Sequence, residues 1–304
     1  MKNKIYKLFS DGFKRGQYIR LKEHDTLHLY VGKDDNGRFA LEYQGHYSPS
    51  RILGSEVISV AQTKSDNIFS LLFSLENTDL LEYFCTFCDD LVNSILEIID
   101  ENTAYKILCQ RYLSWKKLFR PNQGRLNENE IMGLIGELLF LRDRMFPNHG
   151  LDVSLDSWTG PEYTHKDFSL DDEWYEVKTI SVGKSTVKIS SLEQLDSDVR
   201  GSLAIYELEK MSSTFNGIRL NDLVSQIISK LSSHQRDTFI GKLSQFGYDF
   251  STEYNNYVYS LSSCNQYLVV NDFPRLKKAD IPISIQRVQY DIIIAEIDKF
   301  KIES

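Results

Sequence analysis

Apolar and polar residues alternate in short runs through the first quarter of the chain. Leu27-His28-Leu29-Tyr30-Val31 and Arg38-Phe39-Ala40-Leu41-Glu42-Tyr43 flank the turn-rich cluster Gly32-Lys33-Asp34-Asp35-Asn36-Gly37. This pattern predicts strands from Gln17 to about Leu75 and a β-rich N-terminal domain over 1–78. Between Asp79 and Phe119 the apolar spacing changes to three and four, as in Leu91, Ile95, Ile98 and Ile99, then Tyr105, Leu108, Tyr112 and Trp115. One or two long helices are expected there, forming a connector over 79–126. Asn127, with Glu130 three residues on, signals the start of another helix. It runs through Ile131, Leu134, Ile135, Leu138, Leu139 and Leu141 to Arg144, and Pro147 and Gly150 end it.

Strand patterns then return at 165–170 and 174–180, on either side of the polar turn Asp171-Asp172-Glu173, and again at 186–189. Ser190 to Leu195 has the look of a capped helix start. Further strands are expected at 203–208, 266–270 and 290–295, and a further helix at 220–231. The fold class is therefore α/β in the α+β sense, with a mixed third region over 127–304.

Composition agrees with a folded protein of enzyme size. The 304 residues are 41% hydrophobic and 12% aromatic, with only 6 Pro and 16 Gly, and 35 basic residues against 43 acidic ones give a net charge of −8. That length suits two domains, or one with a sizeable extension. No apolar run of about 18 residues occurs, so no membrane partner is expected. The charged N-terminus lacks the apolar core of a secretion signal, so the expected location is the cytoplasm. Cys85 and Cys88 lie in an apolar helical pattern with no second pair, which reads as buried thiols. One stretch goes against the overall charge, since Lys106, Arg111, Lys116, Lys117, Arg120 and Arg125 occur with no acid among them. It is either a solvated helix face or a phosphate-contacting surface.

Chemistry concentrates around Glu176. Of all the acids in the chain, only Glu176 is followed two positions later by lysine, Lys178, and on a strand that spacing puts both side chains on one face. Asp167 precedes Glu176 by nine residues across the expected hairpin. A connection of two or four residues sets the carboxylates opposite each other at about 5 Å, whereas an odd connection misplaces them unless a bulge restores register. Two such charges need a cation or a proton between them, and Mg²⁺, with Mn²⁺ as a substitute, is the natural occupant. Lys178 would orient or deprotonate water, or stabilise charge at phosphorus. The plain alternative is a surface cross-strand ion pair.

These residues resemble the motif of the PD-(D/E)xK nuclease superfamily. The resemblance implies a restriction-endonuclease-like αβββαβ core over 127–304 with a C-terminal extension. Its parts would be a helix carrying Glu137, a strand carrying Asp167, a strand carrying Glu176 and Lys178, a third strand and a helix from about Ser191. It also implies that Glu137 completes the metal set with Asp167 and Glu176, and that Gln194 is an auxiliary residue. The whole chain is similar to a bacterial family of such proteins associated with restriction or phage-defence genes. That similarity runs through Gly133 to Glu137, Trp158-Thr159-Gly160-Pro161, His165 to Phe168, Glu176 to Thr179, Ile189 to Leu195 and Asp272 to Leu276. Lys166 stands where the superfamily's name has proline.

Other chemistries fit less well. Gly183-Lys184-Ser185 lacks the first glycine of a phosphate-binding loop, no Gly-x-Ser-x-Gly elbow occurs, and the six histidines show no metal-ligand spacing. His165 reads as a polar residue where its strand begins. The segment from Leu151 to Arg200 carries eleven acids against five bases, so DNA would need the preceding basic stretch, with Lys116, Lys117, Arg120 and Arg125 as its contacts. Two readings stay open. One is a Mg²⁺-dependent DNA endonuclease acting with other subunits of a defence system, or as a homodimer cutting both strands. The other is a catalytically silent nuclease-fold scaffold.

Overall fold

A computed structural model of the chain describes residues 4–24, 26–119, 126–162 and 166–302. The chain divides into two compact units, 1–125 with 232–252, and 126–231 with 253–304. Among the described residues, no helix is long and apolar enough to cross a membrane.

The first unit opens with α1 (Lys4–Ser10) and five strands: β1 (Tyr18–Arg20), β2 (His28–Lys33), β3 (Phe39–Gly45), β4 (Ile58–Ser65) and β5 (Ile68–Leu75). They form one antiparallel sheet in the order β1-β2-β3-β5-β4. The alternation that predicts these strands buries Leu29, Val31, Leu41, Tyr43, Leu71 and Phe73. Two helices follow, α2 (Leu81–Ser94) and α3 (Glu101–Trp115), the second capped by the Asp100 carboxylate on the Thr103 amide. Phe73 meets Phe87 and Tyr112 at ring separations of 5.7 and 5.2 Å, so the sheet and these helices share a core instead of being joined by a free-standing connector. Cys85, Cys88 and Cys109 are buried within that unit.

The second unit is built on α4 (Glu128–Phe140). Its Asn127–Glu130 capping box is formed as the sequence predicts, with the Asn127 side chain accepting from the amide of Glu130 and the Glu130 carboxylate from that of Asn127. The helix continues into one π-helical turn, Leu141–Met145, then α5 (Phe146–His149) and α6 (Leu151–Ser157). Next come β6 (Phe168–Ser169), β7 (Glu173–Ser181), β8 (Thr186–Ile189), β9 (Arg200–Met211), α7 (Leu220–Ile228), α8 (Ser233–Phe246), β10 (Val258–Val269) and β11 (Tyr290–Ile293). A mixed sheet runs β10-β9-β7-β6, with β7 and β9 parallel and the other pairs antiparallel.

Two details depart from the expected core order. The third strand, β8, leaves this sheet to pair with β11. The helix expected from Ser191 is a single 3₁₀ turn, Leu192–Gln194, which a stretch of only ten residues between β8 and β9 leaves room for. An apolar cluster including Trp174, Ile180, Val187, Leu203, Ile205, Tyr267 and Ile292 unites β7, β9 and β10 with β8 and β11. Between α7 and β10 the chain returns to the first unit, where α8 places Arg236 against Asp90.

Asp90 is fully buried, and its carboxylate also takes hydrogen bonds from Arg111 and from Trp115 Nε1. Arg111 further donates to the Ser233 carbonyl at 2.9 Å. It is therefore a core residue, which removes it from the basic stretch as a candidate phosphate contact. Removing one partner of a buried ion pair leaves the others uncompensated, so Asp90→Ala is expected to lower stability by about 3–5 kcal/mol. Urea titration of wild type and variant measures this, and a change within about 0.5 kcal/mol would be that of an ordinary surface site.

Candidate active site

Register brings the predicted acids together. Phe168 pairs with Tyr175 and Ser169 with Trp174, so four residues separate the paired positions Ser169 and Trp174, and the same register sets Asp167 opposite Glu176. The Asp167 carboxylate accepts the amide of Val177 at 2.7 Å, which locks it to β7 beyond the end of the β6 ladder. Lys178 donates from Nζ to Glu176 Oε1 at 2.5 Å, so the two share a face as a period of two requires.

Glu137 comes from the middle of α4, and that helix can lie close on β7 because of Gly136. A methyl group there would sit 2.3 Å from Thr179 Cγ2. Phe140, one turn on, packs against Phe168 and Tyr175 at 5.2 and 5.1 Å. A second close approach occurs at Gly160. A Cβ there would fall 2.5 Å from Glu137 Oε2 and 3.3 Å from Asp167 Oδ1, so both carboxylates border one small space that only glycine leaves open.

The loop around Gly160 braces both acids. Trp158 Nε1 donates to Glu137 Oε2 at 2.7 Å, and the amides of Thr159 and Gly160 both donate to the Asp167 carbonyl. These roles of Trp158 and Gly160 escape a reading based on charged residues. The signal was the Trp-Thr-Gly-Pro run itself, whose tryptophan has a single N–H donor to satisfy when buried. Lys166 was also missed as a working residue. It lies over the Trp174 ring, 3.8 Å from its centre, and donates to the Glu193 carbonyl at 2.5 Å, which ties the 3₁₀ turn to the base of β6.

Burial and mutual repulsion dominate the electrostatics. Glu137 and Glu176 are buried and Asp167 is half-buried. Burial first, then the charge of Asp167, push the Glu176 carboxyl up to about 8 and the Glu137 carboxyl well above the usual range. Burial also raises Asp167, against the pull of Lys178 and the Val177 amide. Burial alone would lower Lys178, but Glu176 and Asp167 outweigh it and hold the ammonium protonated. Glu176 Oε2 is buried without a hydrogen-bond partner, as a carboxylate oxygen awaiting a cation would be. As they stand, no three His, Cys, Asp or Glu side chains among the described residues close on one point as a metal cage. What fits a hard cation is the unpaired oxygen of Glu176 opposite Asp167, with Glu137 sharing the Gly160 space with Asp167.

The remaining candidates lie elsewhere. Gln194 accepts the Ser190 amide at 2.7 Å and so caps its own turn. Lys116 donates to the Leu53 carbonyl at 2.7 Å and Lys117 is exposed, both in the first unit. Arg120, Arg125 and His165 lie outside the described residues.

Over residues 7–295 the chain matches the family model described as "Putative PD-(D/E)XK family member" (DUF4420). Compared with curated proteins and with solved structures, it matches none.

Since folding raises Glu176 from 4.5 to about 8, the native state binds a proton that the unfolded chain releases within that window. Stability of the metal-free protein therefore falls as pH rises from about 4.5 to 8. Glu176→Gln, with no proton to lose, is expected to reduce that slope and to raise the melting temperature at the alkaline end. Thermal unfolding in a chelator across the window measures both, and equal slopes for the two proteins would show that the Glu176 carboxyl is not perturbed.

Proposed function

The chain belongs to that PD-(D/E)XK family, and from this premise we propose that it is a Mg²⁺-dependent DNA endonuclease of a restriction or phage-defence system. One observation carries the reading. Glu137 of α4 and Asp167, just before β6, border a space kept open by Gly160, while Glu176, opposite Asp167 on β7, pairs with Lys178 and leaves one buried carboxylate oxygen unpaired. Such an excess of negative charge asks for a divalent cation.

Asp167 and Glu176 would hold that ion, with Glu137 as the third acid and Mn²⁺ as a substitute. When bound, it would supply Lewis-acid stabilisation of charge on a phosphodiester and lower the pKa of bound water. The protein's own groups divide the rest of the work. Lys178, kept protonated by its two acids, stabilises negative charge at phosphorus and does not act as the base. Trp158 holds Glu137 in place, and the Thr159 and Gly160 amides hold the Asp167 backbone, so the acids are oriented before substrate arrives. Half-buried Asp167 and Lys178 leave the site a route to solvent. Further subunits would supply sequence recognition, and a homodimer would cut both strands.

Nicking of supercoiled DNA in Mg²⁺ tests the assignment. Asp167→Ala and Glu176→Ala are expected to abolish it, and Lys178→Ala to lower the rate about 10²–10³-fold. Nicking that survives Asp167→Ala and Lys178→Ala rejects the site. A wild-type protein that binds DNA without metal and never cleaves it would instead be a scaffold. Independently of turnover, Mg²⁺ at a hundredfold excess over its dissociation constant should stabilise the wild type by about 2.7 kcal/mol. Asp167→Asn should show no such gain.

Phosphate contact by Lys116 and Lys117 belongs to the same proposal. Replacing both with glutamate should weaken DNA binding and lower the slope of log affinity against log salt by about 2. An unchanged slope removes these lysines from the interface.

A further inference from the structure

Away from the carboxylates, the second unit carries a cleft of about 810 Å³ lined by Arg144, Cys264, Asn265, Gln266, Asp298 and Lys301. Two irregularities in the backbone build it. The first is the π-helical turn Leu141–Met145, which carries Arg144. Such turns cost regular helix geometry and are found frequently at functional sites. The second is a bulge in β10. Leu261 pairs with Leu208 but Ser263 pairs with Glu207, so Ser262 is an extra residue. Before the bulge the odd-numbered residues of β10 share the Leu208 face of the sheet, and after it the even-numbered ones do. The bulge thereby sets Cys264 opposite Tyr206 and Gln266 opposite Ala204 on that face, a re-aiming of side chains that bulges next to binding sites commonly achieve.

Charge in the cleft is unusual for this chain. Arg142 binds both oxygens of Asp143 at 2.6 and 2.7 Å, which takes away the neighbouring acid that would otherwise pair with Arg144. Among the described residues, neither the Arg144 guanidinium nor the Lys301 ammonium makes a hydrogen bond or ion pair. Asp298 is the one acid in the lining, so the cleft is net positive in a chain of net charge −8. A planar guanidinium with its donors unengaged, an ammonium and the Gln266 carboxamide form a donor set suited to a phosphate group.

We propose that this cleft is a second site on the nuclease-like unit, separate from the carboxylates, that binds a phosphate group through Arg144 and Lys301, with Gln266 contacting what the phosphate is attached to. The phosphate comes either from a DNA backbone or from a free nucleotide. Cys264 supplies a reporter, because it is the one half-exposed cysteine while Cys85, Cys88 and Cys109 are buried.

The test follows alkylation of Cys264 by N-ethylmaleimide in the full-length protein at constant ionic strength, with inorganic phosphate, a nucleoside monophosphate or a short DNA duplex added and chloride as control. Phosphate is expected to slow labelling at least fivefold, and Arg144→Ala with Lys301→Ala is expected to abolish that protection. Stronger protection by the duplex than by the monophosphate identifies backbone binding, and the reverse order identifies a nucleotide. Protection in the Asp167→Ala variant should equal that of wild type, which separates this site from the proposed catalytic one. Labelling that none of the three phosphates slows, or that both double and wild-type proteins show equally protected, overturns the proposal. Cys264→Ser confirms that the signal arises at this thiol.

Discussion

Repulsion among Glu137, Asp167 and Glu176 is the constraint around which the second unit is arranged. Acids withdrawn from water at such close quarters disfavour their own ionisation, and one ammonium cannot balance them. Each feature around them limits that cost or directs it to use. Gly136 lets α4 approach β7, and Gly160 keeps the space between carboxylates free of a side chain. Trp158 and the Val177 amide satisfy an oxygen each on Glu137 and Asp167. What remains unsatisfied is concentrated on Glu176, and a group held in an unfavourable state by a rigid surround is common where chemistry is done.

Much of this could be read from the order of residues because it depends on local periodicity. The Glu-x-Lys spacing fixes a shared face on any strand, and a four-residue connection fixes the partner across it. The capping box of α4 is likewise a property of four consecutive residues. The parts that could not be read depend on contacts distant in sequence. The Trp158-Thr159-Gly160-Pro161 run stands out in the sequence, but what it does is legible only once the fold sets Trp158 and Gly160 against Glu137, more than twenty residues earlier. The stretch after Ser191 has the start signals of a helix, but the ten residues between β8 and β9, held by Lys166, allow one turn only. Arg111 looked like part of a basic surface because its counterion, Asp90, lies on a different helix.

The two irregularities of the second unit show the same limit. A π-helical turn and a one-residue bulge leave the hydrophobic pattern nearly unchanged, since each shifts the periodicity by a single position. Their effect appears only in three dimensions, where Arg144 and the far half of β10 meet around one cleft. The face exchange at Ser262 also explains how β10 can offer Tyr267 and Val269 to the apolar cluster while Cys264 and Gln266 face the cleft.

The return of 232–252 to the first unit has a consequence for biosynthesis. About a hundred residues of the second unit are made after Phe119 and before α8. At ribosomal speeds of about 5–20 residues per second, the helix that completes the N-terminal core emerges roughly 5–20 s after the rest of that core. During that interval Asp90 has yet to meet Arg236, and the surface awaiting Phe239, Ile240 and Leu243 stays uncovered. The nascent chain therefore has a built-in waiting period, in which a chaperone could engage it and after which both units close nearly together.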